Sequence, residues 1–219
     1  MEVFMKVLQN YRWSTPGSGY MWVLLLVGVV MIALSIERIY FIRVRANIDA
    51  RKFMTDVRHL VSAGNYKDAL TLCGKYKEKA LPYVIHAGLS RAIDEENIDF
   101  RSLQNAVDEG TLEIIPKLQN RTGYIAMIAN ISTLLGLMGT IYGLILAFQS
   151  ISAPGIDAAE KSRLLAAGIA TAMNTTLLGL SIAVPAILIY TYVHNRTSQI
   201  IDEIDEHSVK LINLMTGNQ

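Results

Sequence analysis

The chain has 219 residues, of which 52% are hydrophobic and only 18% charged, and its mean hydropathy is positive, proportions that argue against an ordinary soluble domain. Twenty Lys and Arg against nineteen Asp and Glu leave a net charge of +1, so no net field recruits nucleic acid. The lone Cys73 excludes an intramolecular disulfide, and His59, His86, His194 and His207 lack metal-ligand spacing.

In chain order, residues 1–19 form an N-terminal segment whose basic groups are Lys6 and Arg12. Residues 20–36 (YMWVLLLVGVVMIALSI) are uncharged, near the roughly 20 residues that cross a hydrocarbon core about 30 Å thick. This apolar run starts late, lacks a small-residue cleavage site and continues into a basic helical segment. It reads as a signal anchor that stays in the membrane.

Residues 37–121 hold 14 basic and 12 acidic side chains. The pattern predicts helices over 39–60, 66–79 and 82–94, and another from 100 toward the next span. Gly64-Asn65 and Leu81-Pro82 are the breaks, with Asn65 as N-cap and Pro82 as a first-turn proline. Ala69, Leu72 and Tyr76 recur at helical spacing, so the segment is expected to be a helical collar that packs on itself or on neighbours.

Two longer uncharged stretches follow, 122–156 and 164–193. Residues 124–151 as a helix would measure about 42 Å, so this span is expected to tilt or project. Ser152-Ala153-Pro154-Gly155 is turn punctuation, which makes residues 122–151 and 164–193 the arms of a hairpin joined by the loop 152–163. Residues 194–219 complete the chain as a helix. The expected fold is therefore an all-α integral membrane protein, with three transmembrane helices and long cytoplasmic helical extensions. Arg38, Arg43, Arg45, Arg51 and Lys52 follow the first span, and Lys117 and Arg121 precede the second, which predicts that residues 37–121 and the C-terminal helix are cytoplasmic. The N-terminus and the hairpin loop are then outside.

The hairpin spans carry polar and small residues that need partners in lipid. Thr133, Gly136, Thr140, Gly143 and Ala147 repeat at spacings of three and four, and so do Ala172, Thr176, Gly179 and Ala183, flanked by Gly168, Thr171 and Thr175. Such stripes bring transmembrane helices together, and Thr hydroxyls commonly bond their own turn; the same hydroxyls, with Asn174, also suit an ion-facing surface. Both readings are open on residues alone. Pro185 is expected to kink the third span. Neither arm contains Asp, Glu, His, Lys or Arg, so a titrating carboxylate for ion transfer has to come from another chain. P-loop, HExxH and Gly-x-Ser-x-Gly signatures are missing, as are paired carboxylates at membrane depth, so an enzyme is not expected, nor any cofactor or metal.

At residues 135–148 (LGLMGTIYGLILAF) and 168–189 (GIATAMNTTLLGLSIAVPAILI) the sequence resembles the MotA/TolQ/ExbB family. The signature around Gly136, Gly139, Thr140 and Gly143 is followed at the family's interval by the pattern from Gly168 to Pro185. The resemblance implies a ring, a homopentamer of this subunit around two copies of a single-span ExbD/TolR/MotB-like partner carrying a membrane Asp. It implies an inner-membrane, ion-driven rotary motor that energises transport, envelope work or motility, with H⁺ as the ion and Na⁺ as the alternative. The family's channel-facing threonines fall on Thr140 and Thr176, with Thr133, Thr171, Asn174 and Thr175 beside them. Thr171 stands where ExbB and TolQ proteins carry Glu, and Thr133 where they carry Pro, which leans toward flagellar-stator or gliding-motor relatives. The rival from another class is a non-conducting scaffold that oligomerises through the same stripes.

Overall fold

The structure is a computed structural model, and it describes residues 18–94, 99–152, 155 and 157–217. Most of the N-terminal segment, and Ala153 and Pro154 of the hairpin turn, lie outside the described residues. The described chain is helical: α1 (Ser18–Tyr40), a π-helical segment (Phe41–Ala46), α2 (Ala50–Ser62), α3 (Tyr66–Lys75), α4 (Ala80–Asp94), α5 (Phe100–Gln119), α6 (Thr122–Ser152) and α7 (Ala158–Thr216). It divides into two compact units, one of Met1–Ile36 with Gly123–Thr191 and one of Glu37–Thr122 with Tyr192–Gln219.

The first is the span unit. Its core gathers Leu24 and Met31 from α1, Ile125, Ile128 and Ala129 from α6, and Ile182, Ala183 and Ala186 from α7. The opposite faces are apolar and open: Leu26, Leu134, Met173 and Leu188 are each 60% exposed or more. A soluble unit does not leave such faces uncovered.

The second is the bundle unit, a small helical bundle with an interior of the soluble kind. Met54, Val57, Ile85, Leu89, Leu103, Leu118, Ile204 and Leu211 are fully buried there. Helices α4 and α5 meet through glycines, since a Cβ on Gly88 would lie 2.8 Å from a Val107 methyl and one on Gly110 would lie 3.2 Å from Ala87.

Three expectations for the bundle are corrected. The helix predicted over 39–60 is interrupted at residues 47–49, where Asn47 turns to extended backbone and Asp49 caps α2 by accepting from the Lys52 amide at 3.2 Å. An Asp side chain that caps a new helix wins over continuation of the old one. Helix α3 stops at Lys75 instead of Lys79, closed by the Tyr76 amide donating to Cys73 and the Lys79 amide to Tyr76. Asn65 precedes α3 as expected, but its side chain makes no capping hydrogen bond. Pro82 sits in the first turn of α4.

Candidate functional site

The two arms of the hairpin, α6 and α7, touch along glycines. A Cβ added to Gly139 would lie 2.5 Å from the Thr175 hydroxyl oxygen and one on Gly168 would lie 2.5 Å from the Ala147 methyl. One on Gly179 would lie 2.6 Å from the Ser132 carbonyl, and Gly136 and Gly143 face Thr175–Thr176 and Ala172 at 3.0–3.3 Å. The seam on α6 therefore runs through Gly136, Gly139, Gly143 and Ala147. Thr133 and Thr140, assigned by spacing to the same stripe as Gly136, lie on its flank. At 3.6 residues per turn a three-four stripe spans a wide arc, and the glycines take its closest line because only they admit the opposing backbone.

Each polar side chain of the hairpin has a distinct place. Thr176 donates from its hydroxyl across the seam to the Gly136 carbonyl at 3.2 Å. Helical geometry directs the Thr140 amide to that same carbonyl, so the two threonines sit within one turn of each other. The Thr140 hydroxyl bonds the Leu137 carbonyl at 2.6 Å, Thr171 bonds Ala167 at 3.0 Å and Thr133 bonds Ala129 at 3.1 Å. Thr175 is 1% exposed and bonds Ala172 at 2.8 Å. Thr140, Thr171, Asn174 and Thr176 are half-buried and Thr133 is exposed. Pro185 lies exposed within α7, a helix with no assigned break.

Ser132 was missed as a seam residue by sequence reasoning. It is fully buried, its hydroxyl bonds Ile128 at 2.7 Å, and its carbonyl lies against Gly179. Its spacing of four and seven residues from Gly136 and Gly139 was the available signal.

Chemically, the hairpin offers hydroxyls and carbonyls and no group that changes charge. Among the described residues no cluster of three or more His, Cys, Asp and Glu is arranged to hold a metal. Charge returns at Glu37. Arg38 is 4% exposed and grips the Glu37 carboxylate through two nitrogens at 2.8 and 2.6 Å while a third donates to the Asn120 carbonyl at 2.6 Å. Arg121, at φ 61°, adds a contact at 3.7 Å. The Arg38 hydrogen bonds hold the Glu37 carboxyl below the usual range, against the opposing effect of burial. Arg38, read from sequence only as a topology signal, thus also ties the end of α5.

Among the described residues three helical stretches, Gly19–Ser62, Phe100–Ser152 and Ala158–Thr216, contain windows long and apolar enough to cross a membrane. The family model described as the MotA/TolQ/ExbB proton channel family matches residues 77–206, well over half of the chain and all of the hairpin. The chain belongs to this family.

Relatives include a biopolymer transport protein ExbB homologue of Methanothermobacter thermautotrophicus, 26% identical over 99% of this chain and 71% of the relative. The Tol-Pal system protein TolQ of Haemophilus influenzae is 36% identical over 42% of this chain and 37% of its own. Among solved structures, that of C. jejuni MotAB superposes with a TM-score of 0.62 over 86% of this chain and 70% of the matched chain; at 13% identity this likeness is one of fold. The curated relatives carry ExbB and TolQ names, so Thr171 alone does not separate this MotA/TolQ/ExbB member from that branch. Family and spans together make it a multi-pass membrane protein of the proton-channel type.

Proposed function

We propose that this protein is the ring-forming subunit, a homopentamer, of an inner-membrane proton-driven rotary motor, with the residues around Thr140 and Thr176 facing the ion path. The observation that carries the reading is a set of hydroxyls on the half-exposed flank of a seam that contains no titratable side chain. In lipid such a flank is costly to leave uncovered. A ring of copies around a central partner covers it and repeats the site at equal intervals. Thr175, buried and bonded within its own turn, packs the hairpin; Thr133, Thr140, Thr171, Asn174 and Thr176 form the ion-facing set.

Because hydroxyls solvate an ion but do not store its charge, the proton carrier is a carboxylate on a single-span ExbD/TolR/MotB-like partner. A buried Asp with a raised pKa, released beside hydroxyls, meets that need. The MotAB likeness and the ExbB and TolQ relatives support such a partner. The N-terminus and the hairpin loop face outward, and residues 37–121 and the C-terminal helix face the cytoplasm.

The test is ion flux in liposomes with this subunit alone and with its partner. Coupled flux is expected only with the partner present, and is expected to be lost in Thr140→Val or Thr176→Val while the oligomer survives in mild detergent, because Val keeps the shape and drops the hydroxyl. Robust selective flux through the subunit alone overturns the scheme. Normal powered work by both variants makes the hydroxyls packing residues and leaves the scaffold reading.

A further inference from the structure

The bundle unit contains an open polar cleft of about 750 Å³ between residues 47–49, helix α2 and the last turns of α7. Arg58 and His207 both line it. The Nε and Nη2 atoms of Arg58 and the Nδ1 atom of His207 are shut off from solvent and have no hydrogen-bond partner among the described residues. His207 is 9% exposed. The Arg58 charge acts on both Glu206 and His207, so these groups share one neighbourhood.

A guanidinium edge buried without an acceptor is an arrangement folded proteins avoid unless a ligand completes it. The carboxylates of the cleft do not supply that acceptor. Asp49 caps α2, Glu206 pairs with Lys210, and Glu203 makes no hydrogen bond with the Nε or Nη2 atom of Arg58. Arg51 and Arg196 add positive charge to the same walls.

We propose that this cleft binds a small phosphate-bearing anion, toward which the two side chains turn on binding, the Nε–Nη2 edge of Arg58 taking two of its oxygens and the Nδ1–H of His207 a third. A guanidinium edge matches paired oxygens of a phosphate, and a tetrahedral oxyanion presents further oxygens to a donor at an angle that a planar carboxylate does not. The inference is independent of the motor reading, since it uses only residues of the bundle unit.

The experiment uses the full-length protein in neutral detergent, titrated with inorganic pyrophosphate at constant ionic strength and, separately, with dihexanoyl phosphatidylglycerol against dihexanoyl phosphatidylcholine. Binding is read by calorimetry and by ³¹P line broadening. Saturable binding of pyrophosphate is expected, weakened on the order of tenfold by Arg58→Gln, weakened less by His207→Ala, and unchanged by Arg101→Gln on the exposed face of α5. Arg58→Lys, which keeps the charge and loses the fork, is expected to bind with intermediate strength and guards against a folding defect. Binding of the phosphatidylglycerol alone, with the same dependence on Arg58, assigns the same phosphate site to a lipid headgroup. Absence of saturable binding to either probe overturns the proposal. So does equal binding by wild type and a folded Arg58→Gln, or a structure of the oligomer in which a carboxylate of a second copy sits on Arg58.

Discussion

The span unit and the bundle unit solve the same problem, holding helices together, with opposite materials. The bundle buries branched and long apolar side chains such as Val57, Ile85, Leu89 and Leu103, and keeps most of its charges, Arg38 and the Arg58 edge excepted, on an outer face laced by pairs such as Lys117 with Glu113. The span unit turns large apolar side chains outward and brings α6 and α7 together on Gly136, Gly139, Gly143, Gly168 and Gly179. In water, burial of apolar area drives association. In lipid that drive is absent, so close backbone approach, dispersion and interhelical hydrogen bonds such as Thr176 to Gly136 take over. A substitution that enlarges a residue should therefore hurt the span unit most, and one that shrinks a residue should hurt the bundle most.

The largest effect is expected at Gly139 or Gly168. Leu at either position meets Thr175 or Ala147 well inside contact distance, at a cost above about 3 kcal/mol because backbone has to move. Loss of the monodisperse species on size exclusion in detergent checks it, and Gly123→Ala, with open space around it, serves as the control. The converse substitution is Leu89→Ala, which removes a fully buried side chain from the bundle. A loss of about 2–5 kcal/mol is expected, read as faster amide exchange across α4 and α5 with the α6–α7 peptides unchanged. Equal loss of protection in both units would show that they do not respond separately.

Next in size is Arg38→Met. It removes the donor to the Asn120 carbonyl and the main partner of Glu37, leaving Arg121 at 3.7 Å. Because Glu37 is partly exposed, the cost is set by the lost hydrogen bonds to a buried guanidinium, about 1–3 kcal/mol. Faster exchange at the end of α5 is the expected readout, and retention of wild-type protection there would remove Arg38 from the list of fastening residues.

How much of this was legible in the sequence depended on the material. The three spans were readable because charge is excluded from lipid, and the gaps in charge at 20–36, 122–156 and 164–193 survive any local ambiguity. The existence of a glycine and hydroxyl seam was readable from spacing. Its rotation was not, because residues one position apart, such as Gly139 and Thr140, differ by 100° around the helix and only the opposing chain decides which one faces it. The break at residues 47–49 was hidden because it contains neither Gly nor Pro, although Asp49 is an ordinary N-cap type. The Arg38 fastening and the unpartnered Arg58 were beyond reach, since each depends on groups far apart in the chain.

The smallest expected effect separates the units by pH. Residues 122–156 and 164–193 contain no carboxyl, amine or imidazole, so acid has no side chain there to act on above pH 4. Among the groups of the bundle whose folded state favours the form present at neutral pH are His86, His207 and Glu37. Burial lowers the His86 pKa, with Lys77 adding to the effect. Burial lowers that of His207 too, with Arg58 and Lys210 acting in the same sense and Glu206 against it. The Arg38 hydrogen bonds lower that of Glu37. For each, the folded pKa lies below the unfolded one, so its contribution is complete above the unfolded value and is lost as pH falls through the folded value. The histidines begin to withdraw support as pH drops below about 6.5 and Glu37 below about 4.5. Hydrogen exchange in phosphate-free buffer, corrected for intrinsic rates, should show α4 and the end of α7 losing protection between pH 7.5 and 5, while the α6–α7 seam holds. His86→Gln combined with His207→Gln should flatten that slope, because Gln stays neutral where imidazole takes up a proton. An unchanged slope in the double variant, or parallel loss in the seam, would show that acid sensitivity is not seated in His86 and His207.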